Sequence, residues 1–242
     1  MDGAVSSRLG AQLFLTLLTS AVSPVRCVTL ANSQAKALAD LQKEVGRTFS
    51  GWTVGGNCST NQRLTCDAQG MVTAIDLSMS NITGPFPMST SAFSSLTKLE
   101  IYSNKLDGPI PASISKLQRV KWLNLCANPF TGSIPSAIYS MISLEHLYVA
   151  GNNFTGPIPS SIGSMTNLVN VALAYNKLSG SIPASIGNLL QLTYLGLVEN
   201  TISGTVPSTI GRLTNLSVLG LMKNNLTGSI PATVGNLRNL EI

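Results

Sequence analysis

The sequence predicts an α/β solenoid, in which one short structural unit is repeated along an axis, and three observations support this prediction. Glycines recur every 24 residues from Gly84 to Gly228, and prolines do the same from Pro87 to Pro231. An asparagine stands four positions before each of these glycines except the first, where Ser80 takes its place. Apolar residues alternate with others just before the asparagine, which is the pattern of a strand with one buried face. Such a period over seven units indicates stacked coils that share one core.

Each unit contains a strand that is too short to be stable alone. Leu99 and Ile101 flank Glu100, and Leu195 and Leu197 stand at the equivalent places four units later. Stacked in a parallel sheet, each buried aliphatic side chain contributes roughly 1.5–3 kcal/mol. We therefore expect a parallel sheet along one side of the solenoid.

The recurring asparagine, glycine and proline are interpreted as structural. The asparagine amide can bond backbone groups of its own coil and the next, which would otherwise be buried without partners. Glycine permits a positive φ or a close backbone approach, and proline ends a hydrogen-bonded run. We expect the return path of each coil to hold a short helical turn, as at residues 185–189.

The first segment of the chain has the features of a secretory signal peptide. Arg8 precedes an apolar stretch at residues 9–22, which is followed by small residues. The alternative is an N-terminal membrane anchor, but the stretch is shorter than the roughly 20 residues that cross a bilayer. We predict a signal peptide at residues 1–25, an N-terminal cap at residues 26–70, and repeats at residues 71–242, with the start of an eighth unit at the end.

The predicted cap begins with a helix through Val45 that carries Leu38 and Leu41 on one face. Cys58 and Cys66 follow, close together in sequence. In an oxidising compartment we expect them to form a disulfide that stabilises by about 2–3 kcal/mol. A metal site is disfavoured, because the chain has no CxxC motif.

Units such as residues 176–189 resemble the plant-type leucine-rich repeat of receptor-like kinases, receptor-like proteins and polygalacturonase-inhibiting proteins. The similarity covers residues 71–242. Trp52, Cys58 and Cys66 are similar to the family's N-terminal cap, although the aromatic residue that the family often places between the two cysteines is missing. The resemblance implies a right-handed superhelix with a concave parallel sheet and short helical turns on the convex side.

Side chains between the buried strand positions should point from the concave sheet into solvent. Aromatic residues make up only 5% of the chain, yet several of them gather in units two to four. Exposed Trp and Tyr on a rigid sheet supply contact area at low entropic cost, as interface anchors do. The alternative is that a solenoid must place some side chains on this face. We predict a ligand-binding surface formed by Lys98, Glu100, Tyr102, Trp122, Asn124, His146, Tyr148 and Tyr194.

Neither nucleic-acid binding nor catalysis is indicated. Only 10% of residues are charged, and the basic residues behind the net charge of +5 are scattered. There is no phosphate loop, zinc spacing or pair of catalytic carboxylates. His146 is the only histidine and has no positioned serine nucleophile, and Cys126 is expected to be a packed or free thiol. We predict a non-enzymatic protein without cofactor or metal.

Five sequons for N-glycosylation occur, each with Ser or Thr two positions after the asparagine. Sugars at these sites would help to keep a surface of low charge soluble in a secreted protein. The alternative is chance in a chain rich in Ser, Thr and Asn. The predicted acceptors are Asn57, Asn81, Asn153, Asn215 and Asn225.

The resemblance implies an extracellular recognition module, either a receptor-like protein or a truncated receptor-kinase ectodomain. Its expected ligand is a peptide, protein or cell-wall glycan in signalling or defence, with a possible co-receptor. We expect it in the cell wall or at the outer face of the plasma membrane, with membrane association only through a missing C-terminal region or a partner. One alternative is a cell-wall enzyme inhibitor similar to polygalacturonase-inhibiting proteins. Another is an assembly role, in which the open end of the solenoid pairs with a second chain.

Overall fold

A computed structural model gives the structure of the protein and describes residues 32–46 and 63–241. The predicted signal peptide at residues 1–25 lies outside the described residues. Cys66 is disulfide-bonded. Other sequence features that lie outside the described residues are Cys27, Trp52, Asn57 and Cys58.

The main sheet has eight strands in chain order along the solenoid. The first two strands pair antiparallel, and every later pair is parallel with a shift of 24 residues. The predicted solenoid with a parallel sheet is confirmed, while the antiparallel start was not predicted. The strands are β1 (Leu64–Cys66), β2 (Val72–Asp76), β4 (Lys98–Glu100), β6 (Trp122–Asn124), β7 (His146–Tyr148), β9 (Asn170–Ala172), β11 (Tyr194–Gly196) and β13 (Val218–Gly220).

A second ladder of parallel pairs follows the main sheet along one flank. It pairs β3 with β5, β8 with β10 and β12 with β14, and isolated bridges such as Ser133–Thr155 join these pairs. The ladder carries the chain away from the concave face, so each coil is hydrogen-bonded to its neighbours at two places. Its strands are β3 (Thr83–Gly84), β5 (Lys105–Leu106), β8 (Thr155–Pro157), β10 (Lys177–Ser179), β12 (Ser203–Gly204) and β14 (Asn225–Leu226).

The convex side consists of short helical turns, as predicted, and each turn begins directly after a proline. Six of the described turns are 3-10 and one is α-helical, because a turn of four or five residues has no room for a regular helix. None of the described helices is long and apolar enough to cross a membrane. The turns are Met88–Ala92, Ala112–Lys116, α2 (Ser136–Tyr139), Ser160–Ser164, Ala184–Asn188, Ser208–Arg212 and Ala232–Asn236.

The recurring asparagines bond the backbone of two coils, as predicted. Asn104 Oδ1 accepts the backbone N–H groups of Ser80 and Ile82, both at 3.0 Å. Its Nδ2 donates to the carbonyls of Leu77 at 2.9 Å and Ile101 at 3.0 Å. The amide thus satisfies backbone groups that the bend after the strand leaves without partners. One N–H and one carbonyl of the preceding coil are bonded in the same way at Asn128, Asn152, Asn176, Asn200 and Asn224.

The helix α1 (Asn32–Glu44) covers the first coil. Leu38 and Leu41 are buried in the same core as the repeats, which confirms the predicted apolar face. Gln34 Oε1 is also buried and accepts the backbone N–H of Val72 at 2.6 Å. The helix therefore both packs against the core and binds the first parallel strand of the sheet.

Candidate functional site

The 24-residue register brings outward side chains of the main sheet into columns across the strands. Because the paired strands are parallel and unshifted within each repeat, equivalent residues lie side by side. The first column runs Ala74, Lys98, Trp122, His146, Asn170, Tyr194, Val218. The second runs Asp76, Glu100, Asn124, Tyr148, Ala172, Gly196, Gly220.

Three rings form an aromatic cluster on β6 and β7, namely Trp122, His146 and Tyr148. The ring centroids of Trp122 lie 4.5 Å from His146 and 5.1 Å from Tyr148, in tilted arrangements. The rings of His146 and Tyr148 are stacked with an interplanar angle of 7° and centroids 6.1 Å apart. These separations are within the range at which ring pairs attract each other. The structure thus brings together three of the predicted ligand-binding residues.

Lys98 and Glu100 extend this cluster on the neighbouring strand β4. The ammonium of Lys98 lies 5.2 Å from the centre of the Trp122 ring and 3.2 Å from Glu100 Oε1. Burial raises the pKa of the Glu100 carboxyl, against the effect of Lys98, while the charge of Asp76 raises it further. The Trp122 indole is near enough to lower this pKa, yet its buried Nε1 finds no hydrogen-bond acceptor of normal geometry among the described residues.

The prediction that all outward strand side chains reach solvent is wrong for Glu100 and Asn124. Each residue is only 7% exposed. The Lys98 ammonium lies beside the buried Glu100 carboxylate. Asn124 turns back to its own strand, where its Oδ1 accepts the backbone N–H of Cys126 at 3.1 Å. Tyr102, at the position equivalent to Cys126 one coil earlier, is half-buried.

Asn170, on β9, completes the site but was not among the predicted residues. Its Nδ2 lies 3.0 Å from His146 Nδ1 and donates to the Tyr148 hydroxyl at 3.1 Å. Its Oδ1 accepts the hydroxyl proton of Thr193 at 3.0 Å. The column register could have found it, since Asn170 follows His146 in the first column. An isolated polar residue gave no further signal.

Burial shifts the titration of two groups in this network. It lowers the pKa of the His146 imidazole, while the nearby charge of Glu145 acts to raise it. It raises the pKa of the Tyr148 hydroxyl, which the hydrogen bond from Asn170 partly offsets. Both groups are therefore held towards their neutral forms at neutral pH.

A shallow apolar floor adjoins the aromatic cluster and was not anticipated from the sequence. Small residues form its centre and are buried, so the tyrosine rings packed around them lie close to the sheet. Tyr194 lies along this floor, because a Cβ added at Gly196 would meet its hydroxyl oxygen at 2.7 Å. Burial in the same region raises the pKa of the Cys126 thiol to about 12, which keeps it protonated and unreactive. The floor consists of Ala150, Ala172 and Ala174, with Cys126, Tyr148, Tyr175, Tyr194 and Val198 packed around them.

Charged side chains at the borders of this surface are paired with one another. Lys121 Nζ lies 2.7 Å from Glu145 Oε1, and Lys223 forms an ion pair with Glu199. Within the described ranges 32–46 and 63–241, no group of three or more His, Cys, Asp or Glu residues is arranged to hold a metal ion. The rings, hydrogen-bonding groups and apolar surface described above are suited to non-covalent contacts.

Comparison with known proteins agrees with this architecture. The profile of the family described as Leucine Rich Repeat matches residues 95–117, 119–141, 143–165 and 167–189. The leucine-rich-repeat ectodomain of the Arabidopsis receptor kinase HAESA, solved with an IDA peptide hormone, is 35% identical over 86% of this chain, with a TM-score of 0.80. The chain belongs to the plant-type leucine-rich-repeat family.

Other leucine-rich-repeat structures share the fold. The plant peptide hormone receptor RGFR1, solved with RGF2, is 36% identical over 66% of this chain, with a TM-score of 0.64. Pollen Receptor Kinase 3 is 25% identical over 79% of this chain and 95% of its own, with a TM-score of 0.71. This leucine-rich-repeat chain spans 26% of the RGFR1 structure and 36% of the HAESA structure. Among curated proteins, the comparison found no match.

The leucine-rich-repeat coils place the described sequons on two different surfaces. Asn81, Asn153 and Asn225 occupy equivalent positions at the start of the second ladder, on the flank that follows the concave strands. Asn215 lies elsewhere, on the return path, and its Nδ2 donates to the Leu190 carbonyl at 2.9 Å. None of these four acceptors belongs to the aromatic cluster or the apolar floor, so glycans on them would leave both surfaces open.

Proposed function

We propose that this protein is an extracellular recognition module that binds a peptide ligand on its concave face, in signalling or defence. The observation that carries the proposal is the aromatic cluster of Trp122, His146 and Tyr148 standing directly beside the apolar floor. The solved HAESA and RGFR1 structures, which share this fold, were determined with peptide hormones. These likenesses support a peptide over a glycan.

The two parts of the surface have complementary tasks in this proposal. Rings held by β6 and β7 offer rigid contact area that loses little entropy on binding. The buried alanines of the floor let the Tyr148 and Tyr194 rings lie close to the sheet, and these half-buried rings offer a ligand an apolar surface. Since nearby charges are already paired, binding here relies on packing and directed hydrogen bonds. Lys98, Glu100, Tyr102 and Asn124 then support the rings and border the surface.

An extracellular location is part of the proposal. The features of residues 1–25 favour secretion, the Cys66 disulfide fits an oxidising compartment, and we propose Cys58 as its partner. N-glycans on the five sequons belong to the same proposal. A co-receptor is included because the HAESA structure was also determined with IDA and the co-receptor SERK1 together.

The test uses full-length protein secreted from plant cells and displayed libraries of random 15-residue peptides. Binders selected on the wild-type protein should lose about tenfold or more in affinity with Trp122→Ala or Tyr148→Ala, as truncated interface anchors do. Ile142→Ala and Leu190→Ala are matched controls, because they remove exposed apolar side chains away from the concave strands. Affinities are measured by calorimetry, and thermal unfolding confirms that each variant is folded.

Binders that tolerate the concave variants and are weakened by the control variants would contradict the proposed surface. Failure to select any peptide, together with selection of oligosaccharides from a cell-wall glycan array, would replace the peptide by a glycan as the ligand. Retention of the protein inside the cells with residues 1–25 intact would contradict the extracellular role.

A further inference from the structure

The hydrogen-bond network around Asn170 uses the whole amide. Its two Nδ2 protons go to His146 Nδ1 at 3.0 Å and to the Tyr148 hydroxyl oxygen at 3.1 Å. Its Oδ1 accepts from Thr193. Because Nδ2 can only donate, His146 Nδ1 must be an acceptor in this arrangement, and the imidazole must be neutral with its proton on Nε2.

A proton on His146 Nδ1 is incompatible with this arrangement. The charged imidazole donates from both nitrogens, so Nδ1–H would face the Nδ2 donor of Asn170 at the same short distance. Two facing donors repel each other and lose a hydrogen bond. In a half-buried site, water does not readily replace the lost partner.

Rotation of the amide removes the conflict between the two donors. With Oδ1 and Nδ2 exchanged, Oδ1 accepts from His146 Nδ1–H and from the Tyr148 hydroxyl. Nδ2 then donates to Thr193 Oγ1. Thr193 Oγ1 already lies 3.2 Å from the Val169 carbonyl, so its own proton has an acceptor in the rotated state. In both orientations His146, Tyr148 and Thr193 each face a complementary amide atom, although one of the two Nδ2 protons has no acceptor among them in the rotated state. The amide is therefore a two-state element.

We propose that Asn170 is a specificity-determining residue of the concave surface, whose side-chain amide turns over by about 180° when His146 takes up a proton. The Tyr148 hydroxyl changes from acceptor to donor towards Asn170. Its single proton is then used, so towards any other group the hydroxyl changes from donor to acceptor. The site also gains one positive charge. This inference rests on the proposed function, because it describes the surface to which the ligand is assigned.

The pH range of the switch follows from the groups around His146. On its own strand, Glu145 acts to raise the pKa of His146, but burial outweighs it and lowers the pKa. From β6, Lys121 is paired with Glu145, and Trp122 covers the ring. From β9, the neutral Asn170 faces it. The ring of Tyr148, whose pKa burial raises, is stacked on it. The neutral arrangement therefore persists at pH 7, and the amide turns as pH falls below the ordinary histidine value of about 6.5.

Nuclear magnetic resonance of the full-length wild-type protein tests the switch without any ligand. His146 is the only histidine in the sequence, so its ring signals are assigned without mutagenesis. At pH 7.5, we expect the 15N shifts of a neutral imidazole with the proton on Nε2. The Asn170 amide protons should show Overhauser contacts to the His146 and Tyr148 rings. At a pH below the His146 midpoint, these contacts should be replaced by contacts to Thr193.

Two variants sharpen the test. Asn170→Ala removes the amide, so the preference for the Nε2 proton in neutral His146 should weaken. Asn170→Asp supplies acceptors only and a negative charge, which should raise the pKa of His146 by about 1–3. A neutral His146 with its proton on Nδ1, or unchanged amide contacts across the titration, would overturn the switch. Neither result bears on whether a peptide binds, so this failure is distinct from failure of the proposed function.

Discussion

At the scale of single residues, the backbone just before each recurring asparagine is left-handed. Ser103 has a φ of 56°, Ala127 of 53° and Tyr175 of 55°. Among the equivalent residues from the second to the seventh repeat, only Gly151 is a glycine, and its φ is 69°. For a residue with a Cβ, the left-handed conformation costs about 1–2 kcal/mol of free energy. The repeats therefore carry a small strain that the asparagine bonds hold in place.

Ala127 and Gly151 form a matched pair for measuring this strain. Ala127→Gly should stabilise the protein by about 0.5–1 kcal/mol, because relief of the left-handed strain exceeds the entropy that glycine adds to the unfolded chain. Gly151→Ala should destabilise it by a similar amount, because the alanine must adopt the same left-handed conformation. No clash adds to this strain, since the new Cβ meets the Ala127 backbone nitrogen at an ordinary 3.4 Å. Urea unfolding of both variants checks the signs. Equal signs would show that backbone strain is not the cause.

Most of the concave surface was predictable at this scale, and part of it was not. The 24-residue period alone assigns His146 and Trp122 to adjacent strands, so the aromatic cluster could be predicted. The burial of Glu100 and the bonds of Asn170 depend on how neighbouring side chains turn over the sheet. A sequence period does not encode those rotamers, so neither feature was foreseen.

At the scale of elements, the convex turns pack so closely that some admit only glycine. A Cβ added at Gly163 would lie 2.5 Å from the carbonyl oxygen of Ser185 in the next coil. That oxygen belongs to the backbone and cannot move aside without shifting the turn. Equivalent clashes occur at Gly187 and Gly211, whereas Gly235 has open space around it.

Gly163→Ala should therefore destabilise the protein by about 1–3 kcal/mol, the usual cost of overpacking. Gly235→Ala is the control with the same chemical change and no clash, and it should alter stability by less than about 0.5 kcal/mol. Thermal and urea unfolding measure both. If the two variants were equally stable, the convex turns would have to be looser than the structure shows.

The period predicted the main strands and the convex turns, but it missed the second ladder and the antiparallel β1. Ladder strands such as β12 (Ser203–Gly204) contain at most one apolar residue, so they show no alternation, whereas each main strand lies in a run with two apolar residues, such as Leu99 and Ile101. β1 precedes the first full repeat, so no equivalent unit revealed it. The second ladder and β1 are both formed by backbone hydrogen bonds, which do not require particular residue types.

At the scale of the whole molecule, each coil contacts its neighbours, and the 24-residue period is the unit of stability. Deletion of residues 201–224 joins Asn200 to Asn225 and keeps every column in register. We expect this variant to fold with reduced stability, because one set of interfaces is lost, and to keep the aromatic cluster. Circular dichroism and urea unfolding test the prediction.

A deletion of half a period, residues 201–212, is the matched control. It places polar positions where the core needs apolar ones, so the last coils should not fold onto the rest. Should both deletions unfold equally, or both fold equally well, stability would not be additive over 24-residue coils.

The strands of the concave face are regularly spaced, which sets the distance between equivalent side chains. Neighbouring strands lie about 4.8 Å apart, so His146 and Tyr194, two strands apart in the first column, are separated by about 9.6 Å. A chain in the polyproline II conformation brings every third residue to the same side at about 9.3 Å. A β-extended chain repeats at about 6.7 Å and soon falls out of phase. A peptide in the polyproline II conformation, lying across the strands, would thus place every third side chain at equivalent positions on alternate coils.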